Sequence, residues 1–283
     1  MKRHTGANLV RFTVAWEGTN PHPDEIDYAY VDAIIEQMRE AIRQQIYVFV
    51  DFHTDLYSRY LFQPDSPHTG NGAPEWIIAG GQYPPSNCGA VCFAWSQHIV
   101  FDPAIRLGYR NFFDNASVNT PLGERHVQDA FLWQMHEVLA YIKGKLTPQE
   151  FEWVTGVQPF NEPIYGYGHK NRADEFDNQK LWPFYQRTRA VLNDTGWTDK
   201  WVFAEPMVFW DTNAGFYAPP TGGHYLKNKP GAGFVFAPHF YDAARMGVTN
   251  LGKVYNGEYF KNIDSIRNEA RFLGIPAVLG EFG

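Results

Sequence analysis

Residues 154–163, Val-Thr-Gly-Val-Gln-Pro-Phe-Asn-Glu-Pro, place a glutamate just after an apolar, strand-like run. The same arrangement returns at residues 275–283, Ile-Pro-Ala-Val-Leu-Gly-Glu-Phe-Gly. Acidic side chains at the carboxyl ends of buried parallel strands are typical of barrel enzymes. The two stretches therefore indicate a parallel α/β fold whose strand ends carry Glu162 and Glu281.

Further apolar runs alternate with helical patterns along the chain. The predicted strands cover residues 8–16, 46–52, 151–160, 201–204, 234–238 and 275–279, and the predicted helices cover 24–44, 104–113, 124–146, 176–192 and 258–273. Because these strands are apolar throughout rather than alternating, they fit a parallel sheet that is covered on both faces. We recognise six strands of this kind.

Polar side chains collect where the predicted strands end. They are Glu17, His53, Asp55, Asn161, Glu162, Glu205, His239, Tyr241 and Glu281. In a doubly wound sheet such residues would converge at only one or two crevices. In a barrel they all face one mouth, so we predict a (β/α)8 TIM barrel.

The 283 residues are enough for one large domain, and we predict a single barrel domain over residues 1–283. Residues 54–103 look like one long irregular loop, a feature that is usually functional, and we expect this loop to shape a substrate site. The net charge of −7 gives no reason to expect a nucleic-acid partner. The aromatic content of 17% favours a sugar site with flat apolar walls, although core packing explains it equally well.

Two features raise the question of a metal or a disulfide. Cys88 and Cys92 are the only cysteines; they fit a local disulfide and two free thiols equally well, and their spacing matches no zinc motif. The pattern Asp51-x-His53-x-Asp55 also suggests metal ligands, but no second histidine pair follows at a strand end. We therefore expect no metal.

Glycoside hydrolysis needs one carboxylic acid and, in retaining enzymes, a carboxylate nucleophile. Glu162 and Glu281 are the natural pair, and Tyr241 and Arg11 could hydrogen-bond the nucleophile and keep it ionised. Glu205 also ends a strand and is the rival carboxylate. It lacks an asparagine neighbour and precedes Pro206, so we assign it a supporting position.

Five pieces in order carry a family resemblance: Val10-Arg11-Phe12, Asp51-Phe52-His53, Asn161-Glu162-Pro163, His239-Phe240-Tyr241 and Gly280-Glu281-Phe282-Gly283. With these pieces the chain resembles glycoside hydrolase family 5, a family of retaining (β/α)8 glycosidases. Residues 52–58, 70–76 and 105–116 are similar to its endoglycoceramidase-like branch. The chain departs from that branch at Thr54, where glutamine is usual, and at residues 157–160, where the branch is more apolar.

The resemblance implies roles for eight residues. Glu162 would be the acid/base and Glu281 the nucleophile; His53, Asp55, Asn161 and Tyr241 would line the first sugar subsite; His239 would brace this substrate-binding site, and Arg11 would position the nucleophile. It also implies no metal or organic cofactor.

The branch cleaves β-glucosidic bonds between glycan and ceramide or in related glucosyl lipids, so we predict such a retaining hydrolase. The alternatives are an endo-β-glucanase of the cellulase type and a catalytically inactive barrel fragment. The implied partners are a glycan or glycolipid and, peripherally, a membrane or micelle surface, with no obligate protein partner. An extracellular location is favoured by the resemblance, although residues 1–6 lack the apolar stretch of a signal peptide.

The resemblance also accounts for the strand count. Full family members have a strand before Val10 and another after the Glu-Phe-Gly motif. We therefore expect an incomplete barrel whose first and last strands are missing.

Overall fold

The computed structural model describes residues 6–88, 92, 95, 97–166, 173–210, 226–241 and 260–282. The strands are β1 (Leu9–Ala15), β2 (Tyr47–His53), β3 (Ser117–Thr120), β4 (Gly123–His126), β5 (Val154–Gln158), β6 (Trp201–Ala204), β7 (Phe234–Phe236), β8 (His239–Phe240) and β9 (Glu281–Phe282). Five of them form one parallel sheet in the order β1-β2-β5-β6-β7.

The wall continues beyond β7. Phe236 forms a parallel bridge with Ala277, and β8 pairs in parallel with β9. Six parallel segments therefore follow one another in the order of the chain, and among the described residues helices lie between all of them except β6 and β7. This is the arrangement of a (β/α)8 barrel, and it matches the predicted fold class.

The helices lie between the strands in sequence. They are α1 (Trp16–Thr19), α2 (Tyr28–Arg43), α3 (Glu75–Gly80), α4 (Gln97–Phe101), α5 (Pro103–Phe113), α6 (Val127–Lys145), α7 (Pro148–Phe151), α8 (Ala173–Phe176), α9 (Trp182–Asp194) and α10 (Phe260–Leu273), with a 3-10 turn at Arg59–Leu61 and a π-helical turn at Asp177–Leu181. The helix predicted from residue 258 is found from Phe260, and residues 258 and 259 lie outside the described part. No helix in the described ranges is long and apolar enough to cross a bilayer.

The sheet has two different faces because successive side chains of a strand point to opposite sides. Val48, Val50 and Phe52 of β2 join the large core beneath the helices. Phe49 instead packs with residues of β6 and β7 in a second, smaller cluster inside the barrel. Arg11 is the register partner of Phe49, which directs its side chain toward the same interior.

The last predicted strand is wrong in its position. Residues 275–279 contribute only the bridge at Ala277, and Glu281 lies within β9 rather than after a strand. Pro276 has no backbone N–H and interrupts regular pairing, although its carbonyl still accepts a hydrogen bond from Phe236 at 2.8 Å.

Short helical elements interrupt the long loop predicted over residues 54–103. This segment contains the 3-10 turn, α3 and α4, and Cys88 is joined to Cys92 by a disulfide. A second miss is the antiparallel hairpin of β3 and β4, because the helix predicted from residue 124 begins at Val127.

Candidate active site

The strands and the turns that follow them bring the eight predicted site residues together. They are Arg11 on β1, His53 and Asp55 at the end of β2, Asn161 and Glu162 after β5, His239 and Tyr241 at β8, and Glu281 on β9. A carboxylate oxygen of Glu162 and one of Glu281 lie within 4.8 Å of each other. The two glutamates that are 119 positions apart in the chain (281 − 162) therefore face one small space.

Glu281 is held by two donors. The Arg11 guanidinium donates from Nη1 to Oε1, and the Tyr241 hydroxyl donates to Oε2 at 2.9 Å. Burial and the neighbouring Glu281 charge raise the pKa of Tyr241, so its hydroxyl keeps its proton and remains a donor. Both contacts stabilise negative charge on Glu281 and fix its orientation.

Glu162 has the opposite environment. Its side chain is 13% exposed, and burial together with the charges of Glu281 and Asp55 raises its pKa to about 8. At neutral pH this carboxyl group therefore holds a proton. The site thus contains one carboxylic acid and one carboxylate, the pairing that acid-assisted displacement requires.

The backbone of Glu162 is unusual. Its φ angle is +45°, in the left-handed region that non-glycine residues seldom occupy, and Pro163 follows it. Such strain persists only where surrounding contacts impose it, and it is concentrated at functional sites. Here the backbone N–H of Glu162 donates to Glu205 Oε2 at 2.9 Å.

His53 lies between two aspartates. Its Nδ1 is 2.7 Å from Asp51 Oδ2, and its Nε2 is 2.9 Å from Asp55 Oδ2. Burial opposes the charged imidazole, but the two carboxylates outweigh burial and raise the pKa of His53 to about 10. Although burial acts in the opposite direction, the His53 hydrogen bond and charge lower the pKa of Asp55. The result is a fixed ion triad along one side of the site.

Asp55 is also tied to the long loop. Its backbone N–H donates to Asn71 Oδ1 at 3.1 Å, and Asn71 Nδ2 donates to Asp55 Oδ2 at 3.3 Å. Gly72 has φ +125°, and a Cβ there would lie 2.8 Å from the Tyr57 carbonyl oxygen. The glycine allows the close backbone approach that sets Asn71 against Asp55.

Asn161 connects both sides of the site. Its Oδ1 accepts from Arg11 Nη2 at 2.6 Å, and its Nδ2 donates to Asp55 Oδ1 at 3.1 Å. Because arginine only donates and an ionised aspartate only accepts, these contacts fix which end of the amide is which. Asn161 is 1% exposed, so it aligns its neighbours more than it presents itself to solvent.

His239 lies beneath the carboxylates. Its Nδ1 is 3.3 Å from Glu162 Oε1, 3.3 Å from Glu205 Oε1 and 3.7 Å from Glu281 Oε2. Burial lowers the pKa of His239 to about 4, so at neutral pH the ring is neutral and these contacts are not ion pairs. Gly280 packs against the ring, since a Cβ there would lie 2.8 Å from His239 Nε2.

Sequence reasoning missed the connecting role of several residues. Gln158 and Glu205 are both fully buried and join Arg11 to the backbone of Glu162. The sequence assigns Asp51 to a family motif and to a possible metal group, and Asn71 to a loop motif, but neither to a contact within the site. The signal that identifies Glu205 in the sequence is its place directly after β6, but its contact with Glu162 depends on the fold.

Two groups of potential metal ligands occur among the described residues. One is Cys88, Cys92 and His98, and the other is Glu162, His239 and Glu281. The cysteines of the first group are engaged in the disulfide, and the second group also binds the Arg11 cation. In the Asp51, His53 and Asp55 group suggested from the sequence, both ring nitrogens of His53 are hydrogen-bonded to the two aspartates. The expected absence of a cofactor stays a prediction.

Comparison with known proteins places this site in context. The chain is 25% identical over 297 aligned residues to Endoglycoceramidase I of Rhodococcus hoagii, covering 99% of this chain and 53% of the relative. It is 22% identical over 211 residues to ergosteryl-beta-glucosidase of Saccharomyces cerevisiae, covering 62% of this chain and 27% of the relative. No family model matches the chain.

Solved structures that resemble this chain include proteins of the same kind as the sequence relatives. A crystal structure of endogalactoceramidase superimposes with a TM-score of 0.70 at 26% identity, covering 98% of this chain and 56% of that one. The fold predicted from the sequence is thereby confirmed as that of the barrel glycosidases. The chain spans about half, or less, of the length of the curated relatives it matches.

Proposed function

We propose that this chain is the catalytic barrel of a retaining β-glycosidase of the family 5 kind, acting on a glycolipid. The observation that carries the proposal is the Glu162 and Glu281 pair, whose carboxylate oxygens lie within 4.8 Å of each other. Burial and nearby negative charge favour the protonated form of Glu162, whereas Glu281 contacts the Arg11 cation. Retaining enzymes have carboxyl groups about 5–5.5 Å apart, whereas inverting enzymes separate them by about 6.5–9.5 Å to admit a water. The pair fits the first class.

In the first step Glu281 attacks the anomeric carbon through a carboxylate oxygen. Glu162 transfers its proton to the glycosidic oxygen while the bond between that oxygen and the anomeric carbon breaks. The aglycone leaves as a neutral alcohol, and the sugar remains on Glu281 as an ester. Arg11 and Tyr241 hold Glu281 in place for this attack.

In the second step Glu162, now a carboxylate, takes a proton from a water molecule. The water oxygen attacks the anomeric carbon, and the ester bond to Glu281 breaks. The sugar leaves with its original anomeric configuration, and both carboxyl groups return to their starting protonation states. The raised pKa of Glu162 suits it to both directions of proton transfer near neutral pH.

The first sugar subsite would be formed by the polar residues beside this pair. Asp55 has a side chain that is 25% exposed, and His53 one that is 16% exposed. Asp55 offers carboxylate acceptors for sugar hydroxyls, while the charged His53 fixes its orientation. Two acceptors held in one geometry can accept hydrogen bonds from two neighbouring hydroxyls of a sugar ring.

The lipid aglycone is supported by the relatives. Their names specify a glycan joined to ceramide, a galactosylceramide type of substrate, and a sterol glucoside. These share a sugar bound to a large apolar alcohol. A substrate of this kind resides in a membrane or micelle, so we propose peripheral contact with such a surface during the reaction.

The experiment that tests the proposal offers the chain a panel of substrates. Glucosylceramide, lactosylceramide and ergosterol glucoside in detergent micelles are compared with cellotetraose, and a Glu281→Gln variant serves as the matched control. We expect hydrolysis of at least one glycolipid, with intact lactose released if the cleavage is of the endo type. Turnover of cellotetraose alone would support a glucanase, and turnover of nothing would overturn the proposal.

A further inference from the structure

Glu205 is a buried carboxyl group with no place in the reaction described above. Its side chain is 1% exposed, and burial, reinforced by Glu162, raises its pKa well above the usual range. Its backbone carbonyl accepts a hydrogen bond from the Tyr185 hydroxyl at 2.7 Å, which fixes the end of β6. A polar group this deep is expensive to bury unless its hydrogen bonds are made, so its contacts identify what it does.

One oxygen of Glu205 accepts two hydrogen bonds. Oε2 lies 2.9 Å from Gln158 Nε2 and 2.9 Å from the backbone nitrogen of Glu162. The second contact reaches the acid/base residue at its backbone and not at its carboxyl group. This contact therefore affects the position of the Glu162 backbone.

Gln158 continues the connection in the other direction. Its Oε1 accepts from Arg11 Nε at 2.9 Å, and because arginine can only donate, the amide nitrogen of Gln158 must point toward Glu205. Arg11 in turn donates to Glu281. A continuous set of hydrogen bonds thus runs from Glu281 through Arg11, Gln158 and Glu205 to the backbone of Glu162.

The backbone of Glu162 needs such an anchor. Its φ of +45° is unfavourable for a residue with a side chain, and the following proline cannot stabilise the turn with an N–H of its own. The hydrogen bond from the Glu162 N–H to Glu205 is available only while this conformation is held. Releasing it would let the carboxyl group of Glu162 move relative to Glu281.

We propose that Gln158 and Glu205 are positioning residues, which fix the acid/base Glu162 at its backbone and hold it in register with the nucleophile Glu281. The expected effect on kinetics rests on the proposed function. The expected effect on the Glu162 backbone rests on the hydrogen bonds alone. Neither residue needs to contact the sugar. Loss of the link should therefore weaken proton donation to the leaving group while sparing sugar binding.

The kinetic test uses aryl β-glucosides with poor and good leaving groups. A good leaving group needs no proton from Glu162, whereas a poor one does. For Glu205→Leu we expect kcat to fall by about 100-fold on the poor leaving group, the loss typical of a small misplacement, and much less on the good one. Glu205→Gln keeps an acceptor oxygen and should rescue most of that loss, and KM should change little in both variants.

Equal losses on both substrates, or a Glu205→Gln variant as impaired as Glu205→Leu, would overturn the proposal. Glu162→Ala serves as the reference, because it should show the same leaving-group dependence in a stronger form. If Glu162→Ala shows no such dependence, the proposed function fails at Glu162, and this failure is distinct from a failure of the link.

A second measurement needs no turnover. Hydrogen exchange of the Glu162 amide reports directly whether its N–H is held by Glu205. We expect exchange at least about tenfold faster in Glu205→Leu than in the parent chain, and near-parental protection in Glu205→Gln. Unchanged exchange in a folded Glu205→Leu protein would contradict the link. Should that variant not fold, Glu205→Met, which also removes the acceptor oxygen, is measured in its place, with the same expected acceleration and the same contradicting result.

Discussion

The two ends of the barrel differ in chemistry although the same strands build both. At the amino ends, a cavity of about 480 Å³ is lined by Tyr47, Val154 and Trp201 and by the ion pair of the exposed Asp199 with the buried Lys200. At the carboxyl ends, the same strands lead into partly buried carboxylates, imidazoles and a guanidinium that contact one another. The cavity at the amino ends is therefore not the site of the chemistry, because charge arranged in a low-dielectric environment is what a reaction uses.

The difference between the two ends of the barrel follows from the different structural demands at the start and at the end of a strand. Residues at the start of a strand need only pack against their neighbours at the edge of the barrel, so exposed aromatics such as Tyr47 and Trp201 are acceptable there. Residues at the carboxyl end are followed by loops that vary freely, so polar groups can be brought in from many places. Variants at the two ends should consequently affect different properties.

The largest effect is expected for Glu281→Gln. The amide keeps the shape but cannot attack the anomeric carbon, so kcat should fall by at least about 10⁴-fold. The assay is release of a fluorophore from a β-glucoside, with the thermal midpoint as a control for folding. Retained turnover would remove Glu281 from the role of nucleophile and end the contrast between the two barrel ends.

The next effect concerns pH. A general acid acts only while protonated, and Glu162 loses its proton as pH rises through about 8, so kcat/KM should decline on the alkaline side near that value. Asp55 carries a negative charge that helps to hold this proton. Asp55→Asn should therefore move the alkaline limb to lower pH.

The measurement is a pH profile from about 5 to 10 for both proteins. If the alkaline limb of the kcat/KM profile stays in place in Asp55→Asn, the charge of Asp55 does not contribute to the raised pKa of Glu162. A limb that moves to higher pH would contradict the sign of the charge effect.

A smaller effect is expected for Gly72→Ala. The new Cβ meets the Tyr57 carbonyl at 2.8 Å, and φ is +125°, so the loop must shift and draw Asn71 away from Asp55. We expect KM to rise and stability to fall by about 1–3 kcal/mol. Gly144→Ala is the matched control, because a Cβ there meets nothing within 4 Å and lies in α6. It should leave KM unchanged and raise stability by up to about 1 kcal/mol.

The smallest effect is expected at the amino end. Tyr47 packs its ring against Trp153 with centroids 4.7 Å apart, and its side chain is 45% exposed. Tyr47→Ser should cost about 1 kcal/mol of stability by urea denaturation, and kcat and its pH profile should stay as they were. A changed pH profile would mean that the two ends are coupled.

The sequence predicted the frame of the molecule better than its connections. Apolar runs identified β1, β2, β5, β6 and β7, because a strand buried on both faces leaves a local composition that can be recognised. The hairpin of β3 and β4 was missed since its strands are short and polar, and the last strand was misplaced because Pro276 lies inside an apolar run. Local composition does not report such interruptions.

For the site, the motifs located the residues that would contact a sugar. They could not show that Gln158 and Glu205 join Arg11 to Glu162, since those contacts span 43 to 147 positions and depend on the curvature of the sheet. The expectation that the first and last barrel strands are missing stays a prediction. The roles of the individual site residues stay predictions.

The most direct test of the central claim is to trap the sugar on the protein. A 2-deoxy-2-fluoro-β-glucoside with an activated leaving group slows the second step more than the first, so the covalent intermediate accumulates and can be digested and sequenced by mass spectrometry. We predict one fluoro-sugar per chain, attached to Glu281, and its absence from Glu281→Gln. Attachment to Glu205 or Glu162, or release of product with inverted configuration and no adduct, would contradict the account.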